Sequence, residues 1–187
     1  MKQSVIIPAF ILLFTGGCVT HRSAPITWEQ AIRPGIHATD AISGKYYNFG
    51  EMNGVSGTGR GRYLHDHFFK IGALSPLPGT VRLSLLDSRH LKVEAFEGEV
   101  LIGSQTADVQ LEPGGSSRGS SIWVKAPTRS GTSNLGVGWQ ASNIRLYLGL
   151  DGHLYGELRQ SGGGLFGFFL PIYNAETQWV KWEKSPQ

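Results

Sequence analysis

The chain has 187 residues, 40% hydrophobic and 17% charged, with a formal net charge of +3 and one cysteine; this supplies one domain core and excludes a multi-pass membrane protein and a disulfide scaffold. Glycine stands out at 26 residues, about twice its usual share of roughly 7%, and because each interior glycine costs a helix about 1 kcal/mol against alanine, the composition disfavours a helix bundle. Basic residues are scattered, without a run of four, and nearly balanced by acidic ones, so no nucleic-acid partner is expected.

The first segment has the layout of an export signal. Lys2 supplies a positive start, Val5 to Phe14 are apolar apart from Pro8 and Ala9, and Thr15-Gly16-Gly17-Cys18 follows. The apolar run is too short to span a hydrocarbon core of about 30 Å as a helix. With Gly16, Gly17 and Cys18 in these positions, and Thr15 where leucine is usual, residues 1–18 resemble the lipobox signal of bacterial lipoproteins. The resemblance implies removal of residues 1–17, a diacylglycerol on the Cys18 thiol and acylation of the new amine, which together exceed the two signals needed for stable anchoring. It also implies a membrane partner reached through the acyl chains on Cys18. Val19, where aspartate would retain a lipoprotein at the inner membrane, implies an outer-membrane anchor facing the periplasm.

Residues 18–43 read as a lipidated tether, with a helical turn at 28–33 stopped by Pro34-Gly35. Residues 44–187 read as a single β-rich domain. A helix is suggested over 62–71 by the spacing of Leu64, Phe68 and Ile71. Val81, Leu83 and Leu85 alternate with polar residues, as do Leu91, Val93 and Ala95, which predicts a hairpin around Asp87 to His90; Glu99 to Gln105 adds a strand. Residues 112–121 and 127–134 read as loops around a short strand at 122–125. Ile144 to Leu150 and Leu154 to Arg159 form a second hairpin, marked by Asp151-Gly152. Leu165 to Tyr173 reads as a central strand apolar on both faces, and Gln178 to Glu183 as the last strand. The expected fold is therefore mainly β: an antiparallel sheet of seven to nine short strands, curled into a barrel of lipocalin-like outline or a sandwich, with at most one or two short helices.

Few residues suggest chemistry. His65 and His67 in His65-Asp66-His67 are candidate metal ligands if extended, since alternate residues share a face, but no third ligand is nominated. Gly54 to Gly61 lacks the pattern of a phosphate loop or nucleophile elbow, and Gly136 to Ala141, a G-x-G-x-x-A match without strand–helix context, reads as a loop. Glu51, Glu94, Glu97, Glu99 and Glu157 could pair for hydrolysis, yet each is expected to face solvent. No catalytic residue and no cofactor is assigned. Phe166, Phe168 and Leu170 are candidates for the floor of an apolar ligand cavity. The expected function is a non-enzymatic binding or envelope-interaction module whose partners are envelope proteins or peptidoglycan. The alternatives are a carrier of a lipid or small hydrophobic ligand and an envelope hydrolase.

Overall fold

The computed structural model describes residues 18–32, 42–52, 62–70, 73–113, 120–125, 129–133, 136–166 and 170–186. The signal segment 1–17 and the run Gly54–Gly61 lie outside them. Among the described residues the strands are β1 (Cys18–His21), β2 (Gly44–Tyr47), β3 (Glu51–Met52), β4 (Thr80–Leu85), β5 (His90–Glu97), β6 (Val100–Glu112), β7 (Ser121–Lys125), β8 (Arg129–Ser133), β9 (Gly136–Leu148), β10 (Leu154–Phe166) and β11 (Leu170–Trp182). One short helix, α1 (Ile26–Ala31), and one 3-10 turn (Leu64–His67) accompany them.

The strands form one sheet in the order β1-β11-β10-β9-β7-β6-β5-β4-β2, with β3 added to β11 and β8 to β9. Its pairings are antiparallel except for β1 on β11. The mainly β, antiparallel class holds, and the sheet is curled without closing into a barrel. Strand β6 produces much of the curl by serving two partners: His90–Glu97 pairs with its first part and Ser121–Val124 with Val109–Glu112. The far edge is drawn towards β11 by a Tyr46–Lys184 bridge and by backbone bonds from Tyr47 to Glu183 (2.9 Å) and from Ser185 to Lys45 (2.8 Å).

Alternating residues fill the inside of the curl. Val81, Leu83, Leu91, Val93, Ile122, Leu146, Leu154 and Trp182 are fully or almost fully buried there. The Val81/Val93 alternation and the β4–β5 register, Leu85 opposite Leu91, match the sequence reading. The second hairpin also forms, with Leu148 opposite Leu154 and Gly152 at φ 79°, where a Cβ would be strained. Its connection is longer than Asp-Gly alone, and Leu150 sits in it, 65% exposed, rather than on the strand's apolar face.

Several expectations are corrected. Leu165 to Tyr173 is not one central strand: Phe166 ends β10, Leu170 starts β11, and the two pair across a reversal. Apolar composition on both faces cannot distinguish a buried strand from two strand ends. Gly136–Ala141 belongs to β9 and Arg129–Ser133 to β8, so neither is a loop; cross-strand pairing overrides their weak local propensity. The helix expected over 62–71 is reduced to the 3-10 turn at 64–67.

Residues 18–32, within the stretch read as a tether, lie on the sheet. Cys18 to His21 pair in parallel with Asn174 to Thr177. Pro25 then caps a helix of six residues, and Ala24, Trp28 and Ile32 pack on Tyr147, Tyr155 and Trp179, on the outer face of β9–β11. The Trp28 and Tyr155 rings meet edge to face at 5.8 Å. A second, smaller apolar cluster thus holds the start of the described chain against the sheet.

Candidate functional site

The histidine pair is split by the turn that carries it. Asn48, 1% exposed, has its amide orientation set by Nδ2 donating to the Pro78 carbonyl (2.8 Å) and by Oδ1 accepting from the His65 backbone N–H (3.0 Å). His65 Nδ1, 2.9 Å from the same Oδ1, is therefore the donor nitrogen. His67 instead meets the Trp182 ring edge-on at 5.7 Å. Both histidines are buried, and among the described residues no cluster of three or more His, Cys, Asp or Glu side chains could hold a metal.

Burial lowers the His65 pKa below its ordinary value, and the Asp66 carboxylate, 3.3 Å from Nε2, offsets only part of that. The unfolded chain consequently takes up this proton first as pH falls. The neutral-His65 contribution is complete above about pH 6.5 and is lost as pH drops from there through the lowered folded value, at up to about 1.4 kcal/mol per pH unit. Urea denaturation at pH 7.5 and pH 5 is expected to show this loss, and His65→Gln to flatten the dependence. An equal slope in the variant would assign it to other groups.

The hydrolytic carboxylates do not converge on a cleft. Glu51, Glu97 and Glu99 are exposed and Glu94 is half-buried, paired to Lys92 at 2.8 Å. Glu157 departs from its expected outward position: it is 2% exposed. The hairpin register puts it directly opposite Arg145. Its Oε1 accepts from Arg159 Nη2 (2.8 Å) and Nε (3.1 Å), while Oε2 accepts from the Tyr147 hydroxyl (3.2 Å) and lies 3.6 Å from Arg145 Nη1. Arg145 also reaches Glu112 at 2.9 Å and stacks over Trp123 at 4.8 Å. This is a closed polar ladder across β6, β7, β9 and β10 beside the α1 cluster. Counting outward from Asp151-Gly152 as a two-residue turn would set Arg145 opposite Leu158; the longer connection between Leu148 and Leu154 shifts the register by one and brings Glu157 there, so the sequence did not place this pair.

Beyond this ladder β9, β10 and β11 continue as a long arm, and its character changes. From Gln160 to Ala175, and from Ser130 to Ile144, the sequence has no Asp, Glu, Lys or Arg. Trp139, Gly163 and Tyr173 stand in one row across the three strands. The indole lies against Gly163, where an added Cβ would come within 3.2 Å of Trp139 Nε1. With Gly162, Ile172, Asn174 and Glu176 these residues line an open groove of about 320 Å³. Trp139 is 43% exposed, Ile172 53% and Tyr173 47%.

Cys18 begins β1 opposite Asn174, at the margin of the groove, and Val19 beside it is exposed. The cavity-floor candidates fall at the end of the arm: the Phe166 and Leu170 backbones pair there, while their side chains, and all of Phe168, lie outside the described residues. Sequence reasoning missed the Trp139–Gly163–Tyr173 row because it needs the β9–β10–β11 register. Among the described residues no helix is long and apolar enough to cross a membrane. No protein-family model, no curated protein and no solved structure matches the chain.

Proposed function

We propose that the chain is a lipoprotein of the bacterial outer membrane, anchored through acyl chains on Cys18 and facing the periplasm, where it acts as a non-enzymatic binding and envelope-interaction module. The observation that carries this reading is the order Lys2, apolar run, Gly16-Gly17-Cys18. An anchored domain meets envelope proteins and peptidoglycan at high effective concentration, so modest affinities suffice. A binding role is favoured because the buried Glu157 and His65 side chains are engaged by neighbouring residues of the fold, which leaves the groove on the arm as surface for recognition. The inside of the curl is filled by side chains such as Leu83, Ile122, Leu146 and Trp182 rather than shaped around a ligand.

The test is Cys18→Ser in the full chain, expressed with its own leader in a Gram-negative host fed an alkyne fatty acid. Acyl labelling is expected to disappear, and the protein to move from the membrane fraction to the soluble periplasmic fraction. Persistent labelling of the variant, or an unlabelled wild-type protein, would overturn the reading.

A further inference from the structure

We infer that the uncharged distal half of β9–β11 seats in the interfacial layer of the bilayer that holds the Cys18 anchor, so that the domain is docked on the lipid and not suspended above it; this rests on the lipoprotein reading. Three independent features converge on one end of the molecule. The first is charge. Arg145, Glu157, Arg159, Glu176, Lys181 and Glu183 occupy the near half of the arm, and the far half has none over Gln160–Ala175. Burying charge in a bilayer interface is costly; over this stretch those strands carry none, and the charged residues nearest to it are Glu176, which also lines the groove, and Arg129 of β8, opposite Gln140.

The second is two-sided exposure. Ile172 and Tyr173 are consecutive strand residues and so point to opposite faces, yet they are 53% and 47% exposed. Beyond Ile144 at its inner limit, no residue of this half whose side chain is described belongs to either apolar cluster. A docked protein would cover one face of the sheet, whereas lipid surrounds both. Some other exposed apolar residues stand next to charge, as Leu86 does to Asp87, Val100 to Glu99 and Leu150 to Asp151. Trp139, Leu165, Ile172, Tyr173 and Val19 have no charged residue beside them in sequence and gather at one end of the sheet. Trp and Tyr are also the side chains that favour the headgroup level, with an apolar ring and one polar atom.

The third is position. Cys18 pairs with Asn174, one residue from Tyr173, and neighbouring strands are about 4.8 Å apart. Acyl chains on Cys18 therefore enter the bilayer beside the Trp139–Gly163–Tyr173 row. The depth is limited by the backbone. Strand β1 ends the sheet on that side, and unpaired N–H and C=O groups are not tolerated in hydrocarbon. The contact is interfacial and does not span.

The test uses the full chain, exported and processed in a Gram-negative host, extracted in mild detergent and reconstituted into phosphatidylethanolamine/phosphatidylglycerol vesicles. Part of the lipid is brominated near the headgroup end of its acyl chains, and the mass of the reconstituted protein is recorded. Tryptophan emission is expected to be quenched in wild type, with the quenched component absent from Trp139→Phe and most of it lost in Ile172→Glu. An acylated protein without quenching, or quenching that persists in Trp139→Phe, would overturn the docking and leave the anchor standing. A mass without acyl chains would overturn the lipoprotein reading and the docking with it.

Discussion

Replacing Trp182 by alanine is expected to lower stability by about 3–5 kcal/mol, the range for deleting a large buried aromatic. Trp182 has no exposed surface and lies at the closed end of the curl, where several elements depend on it. Its ring covers Gly156, where an added Cβ would come within 2.6 Å of Cζ3, and its edge meets Gly50. Its Nε1 donates to the Arg62 carbonyl at 2.8 Å, tying the segment before the 3-10 turn to β11, and the His67 ring packs on it. The two glycines show that the backbone is shaped to the indole, so the site has little means of collapsing around a smaller residue. Trp182→Phe is expected to cost less, keeping most of the ring but losing the bond to Arg62, itself worth about 1 kcal/mol. Urea denaturation of the purified proteins measures both. A loss below about 1 kcal/mol for the alanine variant would contradict the packing described for this end.

The second large effect is expected at Glu157. Its carboxylate is buried and engages Arg159, Tyr147 and Arg145. Removing one member of a buried ion pair typically costs about 3–5 kcal/mol, because the partner is left without its counter-charge. Here the Arg145 and Arg159 side chains keep 21% and 46% exposure and can turn partly to water, so about 2–4 kcal/mol is expected for Glu157→Ala. Glu157→Gln keeps an oxygen for the Tyr147 hydroxyl and is expected to lose about half as much. Equal stability of the alanine variant would mean that the arginines are solvated and that Glu112 alone organises the ladder.

The parts of the fold legible in the sequence are those where alternation and turn chemistry agree. The β4–β5 hairpin has both, and so has the β9–β10 hairpin, whose Gly152 takes the positive φ that its Asp-Gly pair suggested. The reversal between β10 and β11 was hidden because Leu165 to Tyr173 is apolar throughout, with glycine and proline inside a run that reads equally well as buried. The docking of Cys18–Ile32 was hidden for another reason. Four strand residues and a six-residue helix are too short to form alone, and tertiary contacts with Tyr147, Tyr155 and Trp179 hold them.

For the site, Cys18 is legible because its context is local. The arm required the register of three strands before its row of Trp139, Gly163 and Tyr173 came together. The absence of charge in Gln160–Ala175 was the signal in plain sight. Composition counted over the whole chain dilutes it, and only the fold shows that this stretch and Ser130–Ile144 share one end of the sheet with Cys18.

The most direct test of the central claim is the intact mass of the protein extracted from the membranes of cells expressing the full chain. A polypeptide that begins at Cys18 and carries three acyl chains is expected. A mature chain beginning at any other residue, or one that begins at Cys18 with its thiol and amine unmodified, would contradict that claim.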